Sequence, residues 1–285
     1  MSKPNYVAPT RMTDAFAALD STQTKSVIIA GGTDLLVRMR TGALEPDLLV
    51  DLRLLELDRI EEQKNLVSIG AYATHTDVLR SKILAKNFPV LVEAASEIAG
   101  PPIRNRGTLG GNLVNASPAA DLATPLLIYN AEAVIVNKDG ERLVPLEVFF
   151  KGPGETDLKP GEILKEIRIP KPISHTGAAF SKLGKRKAMA IAVVSVAARM
   201  TIDGGGRINQ ARVALGSVSP VPMRAYETEQ FLVGKAPSKD LFSKAGEIAR
   251  SESSPITDLR STFEYREKMV SVLTRRTLET AVEQI

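Results

Sequence analysis

Two pairs of adjacent glycines constrain this chain more than any other feature. One lies in AGGTD (residues 30–34), the other in TLGGN (108–112). Glycine has no Cβ, so it reaches positive φ without strain and leaves neighbouring N–H groups unshielded. Consecutive N–H groups in such a turn form a concavity that attracts an anion. Each pair also brings a threonine hydroxyl and a polar side chain. Two such places in separate zones suit a ligand with two linked phosphates lying between them. The residues alone leave plain tight turns open as well. The dinucleotide fingerprint G-x-G-x-x-G is absent, so a nicotinamide site on a doubly wound sheet is not supported.

The hydrophobic pattern around the pairs divides the chain of 285 residues into three zones, consistent with about two domains. In the first, to about residue 58, Thr13 is placed to cap a helix ending at Leu19. Val27–Ile29 reads as a buried strand, Leu35–Met39 as the start of a helix and 47–52 as a second strand, a small α/β unit. In the second, about 59–175, strands are expected at 65–74 and 162–170. Helices are expected at 77–84 and 90–99, and a hairpin at 131–146 turns on Asp139-Gly140. The second glycine pair sits in IRNRGTLGGNLVNASPAADLATPLL (103–127), which reads as too broken for a helix and too polar for a core strand. In the third, about 176–285, strands at 190–202 and 208–218 flank the turn DGGGR, and helices follow at 238–250 and 258–283. Phe263, Val270, Leu273 and Leu278 form the apolar stripe of the last helix, with Arg266 mostly off it. DGGGR lacks a following helix and a Lys-Ser/Thr, so it reads as a turn and not a phosphate loop.

Composition removes several kinds of chemistry. There is no cysteine, hence no disulfide, no cysteine-bound iron–sulfur cluster and no thiol nucleophile. The two histidines, His75 and His175, show no metal spacing and read as surface or packing residues. No serine sits in a G-x-S-x-G elbow. Hard chemistry would therefore need a borrowed cofactor. The net charge of +4 is small and the signs are interspersed, so nucleic acid is weakly supported. The basic stretch KLGKRK (182–187) reads as a solvated loop on charge alone. No apolar run approaches the ~20 residues of a membrane span, and the start MSKPNYVAPTRMTDAF lacks a signal-peptide core, so the chain reads as cytoplasmic.

Four stretches carry a resemblance: IIAGGTDLL, IRNRGTLGGNLVNASPAADLATPLLIYNAEAVI, LKPGEILKEIRIP and EYREKMVSVLTRRTLETA. In this order, across nearly the whole chain, they resemble the FAD-binding medium subunits of the molybdenum hydroxylases, the aerobic carbon monoxide dehydrogenase and xanthine dehydrogenase type. The resemblance implies an α+β fold. A vanillyl-alcohol-oxidase (PCMH-type) FAD-binding part would cover 1–175, with subdomains at about 1–58 and 59–175. A smaller C-terminal α+β domain of antiparallel sheet and helices would cover 176–285. It implies electron transfer: two 2Fe–2S clusters of a partner subunit deliver electrons to FAD here, and NAD⁺, a quinone, oxygen or another external acceptor takes them away. A second partner, the large subunit bearing molybdopterin, would hydroxylate the substrate. The implied assembly is a hetero-oligomer, a dimer of heterotrimers, without nucleic acid or a membrane span.

The resemblance also implies site residues. Ala30, Gly31, Gly32, Thr33, Asp34 and Leu35 would hold FAD through the first loop. Gly100, Ile103, Thr108, Gly110, Gly111, Asn112 and Asn115 would hold it through the second. Asp121 matches an acidic contact, Ile163 and Leu164 match backbone contacts, and Lys182 matches a lysine reaching the flavin. No catalytic side chain and no metal ligand are implied on this chain. Structural roles stand beside these: Asn115 as a turn cap, Asp34 as a cap of the helix from Leu35, and Asp121 as a cap of a helix near Leu122. Where relatives place an aromatic beside the flavin, this chain offers Ile98 and Met189. Two other readings are a stand-alone flavin reductase of the same fold and a cofactor-less scaffold or nucleic-acid-binding module using the basic loop.

Overall fold

The computed structural model describes residues 3–20 and 24–285. Met1 and Ser2 of the opening stretch lie outside them. A three-stranded parallel sheet has the order Asn5–Val7, Leu48–Asp51, Ser26–Ile29. Parallel neighbours need a crossover, and the segment containing AGGTD and helix Leu35–Arg40 supplies it. A five-stranded antiparallel sheet follows in the order Ile60–Glu62, Leu66–Gly70, Ile163–Pro170, Glu132–Asn137, Gly140–Pro145. Val136 and Ile163 from this sheet share a small core with Ala15, Val50 and Leu52, which fixes the parallel sheet against it.

The C-terminal part is a four-stranded antiparallel sheet: Thr176–Gly184, Ala192–Ile202, Ile208–Gly216, Met223–Arg224. Its strand Ala192–Ile202 is almost continuously apolar because both faces are covered. Val194, Val196, Ala198 and Met200 pack under helices Lys239–Glu252 and Phe263–Glu283. Phe180, Ala197 and Ala214, register partners on the other face, join the core built around helix Ala123–Ile128.

Several local expectations are corrected. The segment 103–127 is not devoid of regular structure: it holds helices Leu109–Val114 and Ala123–Ile128. Thr108 caps the first by accepting from the Gly111 N–H at 3.0 Å. Pro125 sits in the first turn of the second, where the missing N–H costs no intrahelical bond. The helix expected at 77–84 is two, His75–Arg80 and Lys82–Asn87, because Ser81 caps the second. Helix Met12–Leu19 starts one residue before Thr13, which caps nothing; Arg11 occupies that place and pairs with Asp14 at 2.9 Å. The strand expected at 65–74 ends at Gly70, and KLGKRK is a loop only after Gly184, its first residues closing strand Thr176–Gly184.

Arg266 corrects the helical stripe. It is 3% exposed, while Phe263, expected in the core, is 37% exposed. Its Nη1 donates to the carbonyls of Val193 (3.1 Å) and Ser217 (2.7 Å), and its Nη2 to Asp258 (2.8 Å). Asp258 therefore belongs to the loop before the helix, which Thr262 caps. Removing one partner of a buried, hydrogen-bonded ion pair costs about 3–5 kcal/mol. Arg266→Met is expected to lower the unfolding free energy by about that amount, read from urea melts of the purified chain; a loss under about 1 kcal/mol would contradict this role.

Candidate functional site

A cleft of about 320 Å³ opens between the parallel sheet and the start of the five-stranded sheet, within the roughly 300–1,000 Å³ of small-molecule sites. Ala30, Gly31, Gly32, Thr33, Asp34 and Leu35 line one side. Ile103, Thr108, Gly110, Gly111, Asn112 and Asn115 line the other, and Ile163 and Leu164 close the end. Gly100, Asp121 and Lys182 do not line it.

The first loop carries backbone donors left free. Gly32 has φ +73°, the left-handed conformation glycine takes at little cost. The N–H groups of Gly32, Thr33 and Asp34 donate to no acceptor among the described residues. Asp34 does not cap the following helix: its backbone is helical and its side chain makes no cap bond. Gly31 has a different task. A Cβ there would lie 1.9 Å from the Arg106 carbonyl oxygen, so only glycine lets the first loop meet the second segment.

The second segment is spent on assembly rather than on bare N–H groups. The Leu109 and Gly110 N–H groups donate to the carbonyls of Ala73 and Ala71, both at 2.8 Å, and the Gly111 N–H is held by Thr108. A Cβ on Gly110 would lie 2.7 Å from both Ala71 Cβ and its carbonyl oxygen. The two glycine pairs are thus unequal: one leaves donors free, the other packs helix Leu109–Val114 against the strand end. What this segment offers the cleft is Asn112, whose Oδ1 is buried without a partner. Asn115 ends the helix through its backbone N–H to the Gly111 carbonyl at 3.0 Å, not through its side chain.

Among the cleft residues that escaped sequence reasoning, two carry polar side chains that are not exposed. The Tyr72 hydroxyl accepts from the Leu52 N–H at 3.0 Å and donates to the Ile29 carbonyl; it lies 3.3 Å from Asp51. Asp51 is fully buried and also takes Tyr6 and Arg53. Burial pushes its carboxyl up, but the hydrogen bonds from Arg53 and Tyr6 win and hold it below the ordinary carboxylate range. The same burial raises the Tyr72 hydroxyl far above its ordinary value, so it stays protonated. This network fixes the ends of two parallel strands and so aims the loop that starts at Ala30. The other is His75, a packing residue as expected but also part of the wall. It is 4% exposed, its Nδ1 has no partner, and its ring backs Gly107 at 3.1 Å from where a Cβ would stand. Burial, with help from Arg104, pulls its pKa down to about 4, so the imidazole is neutral. A lone histidine carries no motif; only the fold shows what it faces.

Asp121 and Lys182 meet each other. Lys182 Nζ donates to Asp121 Oδ2 at 2.7 Å and to the Glu97 carbonyl at 3.0 Å, with side chains 4% and 10% exposed. Asp121 caps nothing: the helix after it has Leu122 at its N-cap, and Asp121 Oδ1 is buried without a partner. Burial lifts its pKa to about 6 despite Lys182. Gly100 lies beside Met189, whose Sδ would be 3.5 Å from an added Cβ; Met189 is exposed, while Ile98 lines the cleft.

Comparison with known proteins gives one consistent answer. A family model described as the FAD binding domain in molybdopterin dehydrogenase matches residues 2–172. A model described as the CO dehydrogenase flavoprotein C-terminal domain matches residues 179–281. The chain is 35% identical to the carbon monoxide dehydrogenase medium chain of Afipia carboxidovorans, covering 97% of this chain and 96% of that one. It is 33% identical to the xanthine dehydrogenase FAD-binding subunit of Escherichia coli O157:H7, covering 98% and 96%. A solved carbon monoxide dehydrogenase from Hydrogenophaga pseudoflava, lacking the Mo-pyranopterin moiety of its cofactor, superposes with a TM-score of 0.95 at 34% identity, covering 99% and 98%. The cleft fits FAD chemically. Free N–H groups at 32–34 suit a pyrophosphate, the orphaned Asn112 Oδ1 suits a hydroxyl or ring N–H donor, and Ile98, Ile103, Leu158 and Leu164 suit an apolar ring.

Gly31→Ala is expected to push the first loop off Arg106 and weaken FAD binding about tenfold or more, as loss of charge-assisted bonds would. Gly204→Ala, with nothing near its Cβ, is the control and should bind normally. FAD titration of both apoproteins measures this; equal affinity would contradict the close-approach role. His75 sets a pH dependence. Its folded pKa of about 4 lies below the ordinary 6.5, so the fold resists protonation. The associated stability is complete above pH 6.5 and is lost as pH falls towards 4, about 3 kcal/mol in all. His75→Gln cannot ionise and should lose less stability than wild type between pH 7 and 4.5 in urea melts; parallel losses would refute it.

Proposed function

The chain belongs to the FAD-binding family of the molybdopterin dehydrogenases, and we propose that it is the subunit through which electrons leave a molybdenum hydroxylase. It is a flavoprotein and an oxidoreductase subunit, with PCMH-type FAD-binding architecture and a carbon monoxide dehydrogenase-type flavoprotein C-terminal domain. Its relatives are named as medium chains or subunits of dehydrogenases. In our reading, a partner subunit with two 2Fe–2S clusters delivers electrons, a molybdopterin-bearing large subunit oxidises the substrate, and NAD⁺, a quinone, oxygen or another external acceptor receives the electrons. The assembly is a dimer of such heterotrimers in the cytoplasm. Among the described residues no helix is long and apolar enough to cross a membrane.

Bound FAD supplies a centre that takes up and releases electrons in pairs or singly. The chain's own residues bind and orient it. The Gly32, Thr33 and Asp34 N–H groups take the pyrophosphate, with Ala30, Gly31 and Leu35 shaping the loop. Thr108, Gly110, Gly111 and Asn115 set the opposite wall, from which Asn112 contributes its free oxygen. Ile103, Ile163 and Leu164 exclude water. Asp121 and Lys182, paired beside Glu97 and near Gly100, orient the flavin end from outside the cleft.

The observation that carries this reading is the character of the two titratable side chains of the cleft that are not exposed; the other two, Asp34 and Arg38, are exposed. Tyr72 is locked by hydrogen bonds and His75 is neutral with its Nε2 side against Gly107. Such walls hold a cofactor without taking or giving protons, which suits a carrier more than a self-sufficient reductase. The test is affinity purification of the tagged chain from its own cells. Iron and molybdenum are expected to co-purify with FAD, and the flavin absorbance should bleach anaerobically when the complex meets its substrate. A metal-free flavoprotein that reduces a substrate with NAD(P)H by itself would establish the stand-alone reductase instead.

A further inference from the structure

Helix Pro89–Ser96 runs into a turn, 97–100, whose carbonyls the backbone alone cannot satisfy. The N–H groups that would reach the Glu97 and Ile98 carbonyls from four residues ahead belong to positions 101 and 102, and both are proline. The turn also carries Ala99 at φ +39°, in the left-handed region that a residue with a side chain enters only at a cost. Such a conformation persists only where its surroundings hold it.

Two cations hold it. Arg104 closes the short helix Pro101–Arg104, which follows the turn directly. Its Nη1 is shared among the carbonyls of Ser96 (3.1 Å), Ile98 (2.8 Å) and Ala99 (3.0 Å). Lys182 Nζ takes the Glu97 carbonyl between them at 3.0 Å. Consecutive carbonyls at a helix end are thus met by side-chain cations, which also suit the negative end of the helix. The backbone N–H of Arg104 donates to the Gly100 carbonyl at 3.0 Å, so main chain and side chain both grip the turn. Arg104 pairs with no carboxylate among the described residues, so its charge is spent on carbonyls.

What the turn presents is Ile98. It is 8% exposed and lines the cleft, as does Ile103, the residue before Arg104. Arg104 does not line the cleft, yet its charge is felt there: after burial, it is the second cause of the low pKa of His75 in the cleft wall.

We propose that Arg104 is a positioning residue for the cofactor, holding the turn 96–100 so that Ile98 stands in the wall that an apolar ring would face. Arg104 acts through Ile98 and not by contact. The role rests on FAD occupying the cleft. A lysine keeps the charge but lacks the planar fork of donors, so it fills the role only in part.

The test is FAD titration of the full-length apoprotein, with visible circular dichroism of the saturated chain to report the surroundings of the flavin ring. Arg104→Met is expected to bind FAD about tenfold more weakly, as loss of charge-assisted bonds would, and to change the dichroism at saturation. Arg104→Lys should fall between that variant and wild type in both, and it carries the test should Arg104→Met not fold. Ile98→Ala should weaken binding by itself. Adding Arg104→Met to it should cost less than about threefold more, because residues acting through one contact are not additive. Arg266→Met, which loses buried bonds in the C-terminal part, controls for lost stability and should bind FAD as wild type does. A full further tenfold loss in the Ile98→Ala background, wild-type affinity and dichroism in the Arg104 variants, or an equal loss in Arg266→Met would overturn the role of Arg104. A wild-type chain that takes up no FAD would refute the cofactor site itself, and the role with it.

Discussion

A Cβ at residue 31 would stand 1.9 Å from the carbonyl oxygen of Arg106, inside any allowed contact. This backbone-to-backbone approach sets the width of the cleft, because it is where the two halves of the wall touch. Around it the backbone is stitched on both sides. His75 N–H meets the Gly107 carbonyl, Thr74 and Thr108 form a bridge, and Gly110 packs on Ala71. Glycine at 31, 107 and 110 thus removes side chains from a seam that carries the whole second segment. The seam leaves the first loop as the flank with N–H groups to spare.

Aim is added by the buried carboxylate at Asp51. Tyr72, anchored to the ends of two parallel strands, and Arg53, at the start of the next segment, converge on it. Such a network is strong because each member is satisfied by the others in a region of low dielectric. It holds Ile29, the residue before the loop, in place. A short crossover helix of six residues could not orient that loop by itself.

Much of this was legible. Apolar runs marked two of the three parallel strands, Asn5–Val7 being too short and polar to stand out, Asp139-Gly140 and DGGGR marked the hairpins, and the motifs around both glycine pairs carried the family. The illegible parts have physical causes. Helix Leu109–Val114 contains two poor helix formers whose value lies in close packing, so propensity spoke against it. Strand Thr176–Gly184 is rich in small residues that gain their burial only from a partner strand. Arg266 looked like solvated surface because nothing in a sequence shows which loop carbonyls will need donors. Asp121 and Lys182 are 61 residues apart, and no local pattern announces such a pair.

Phe180, Ala197 and Ala214 belong to the same continuous core as Leu109, Leu113 and Leu126. The core behind the cleft is therefore finished by residues that leave the ribosome about 150 to 180 positions after Gly31. A nascent chain stopped near residue 172 would expose one flank of helix Ala123–Ile128 and hold an unsupported second segment. Translation thus imposes an order: the lining of the cleft is complete by Leu164, but the core behind it closes only with the C-terminal sheet, and until then the chain presents apolar surface of the kind chaperones bind.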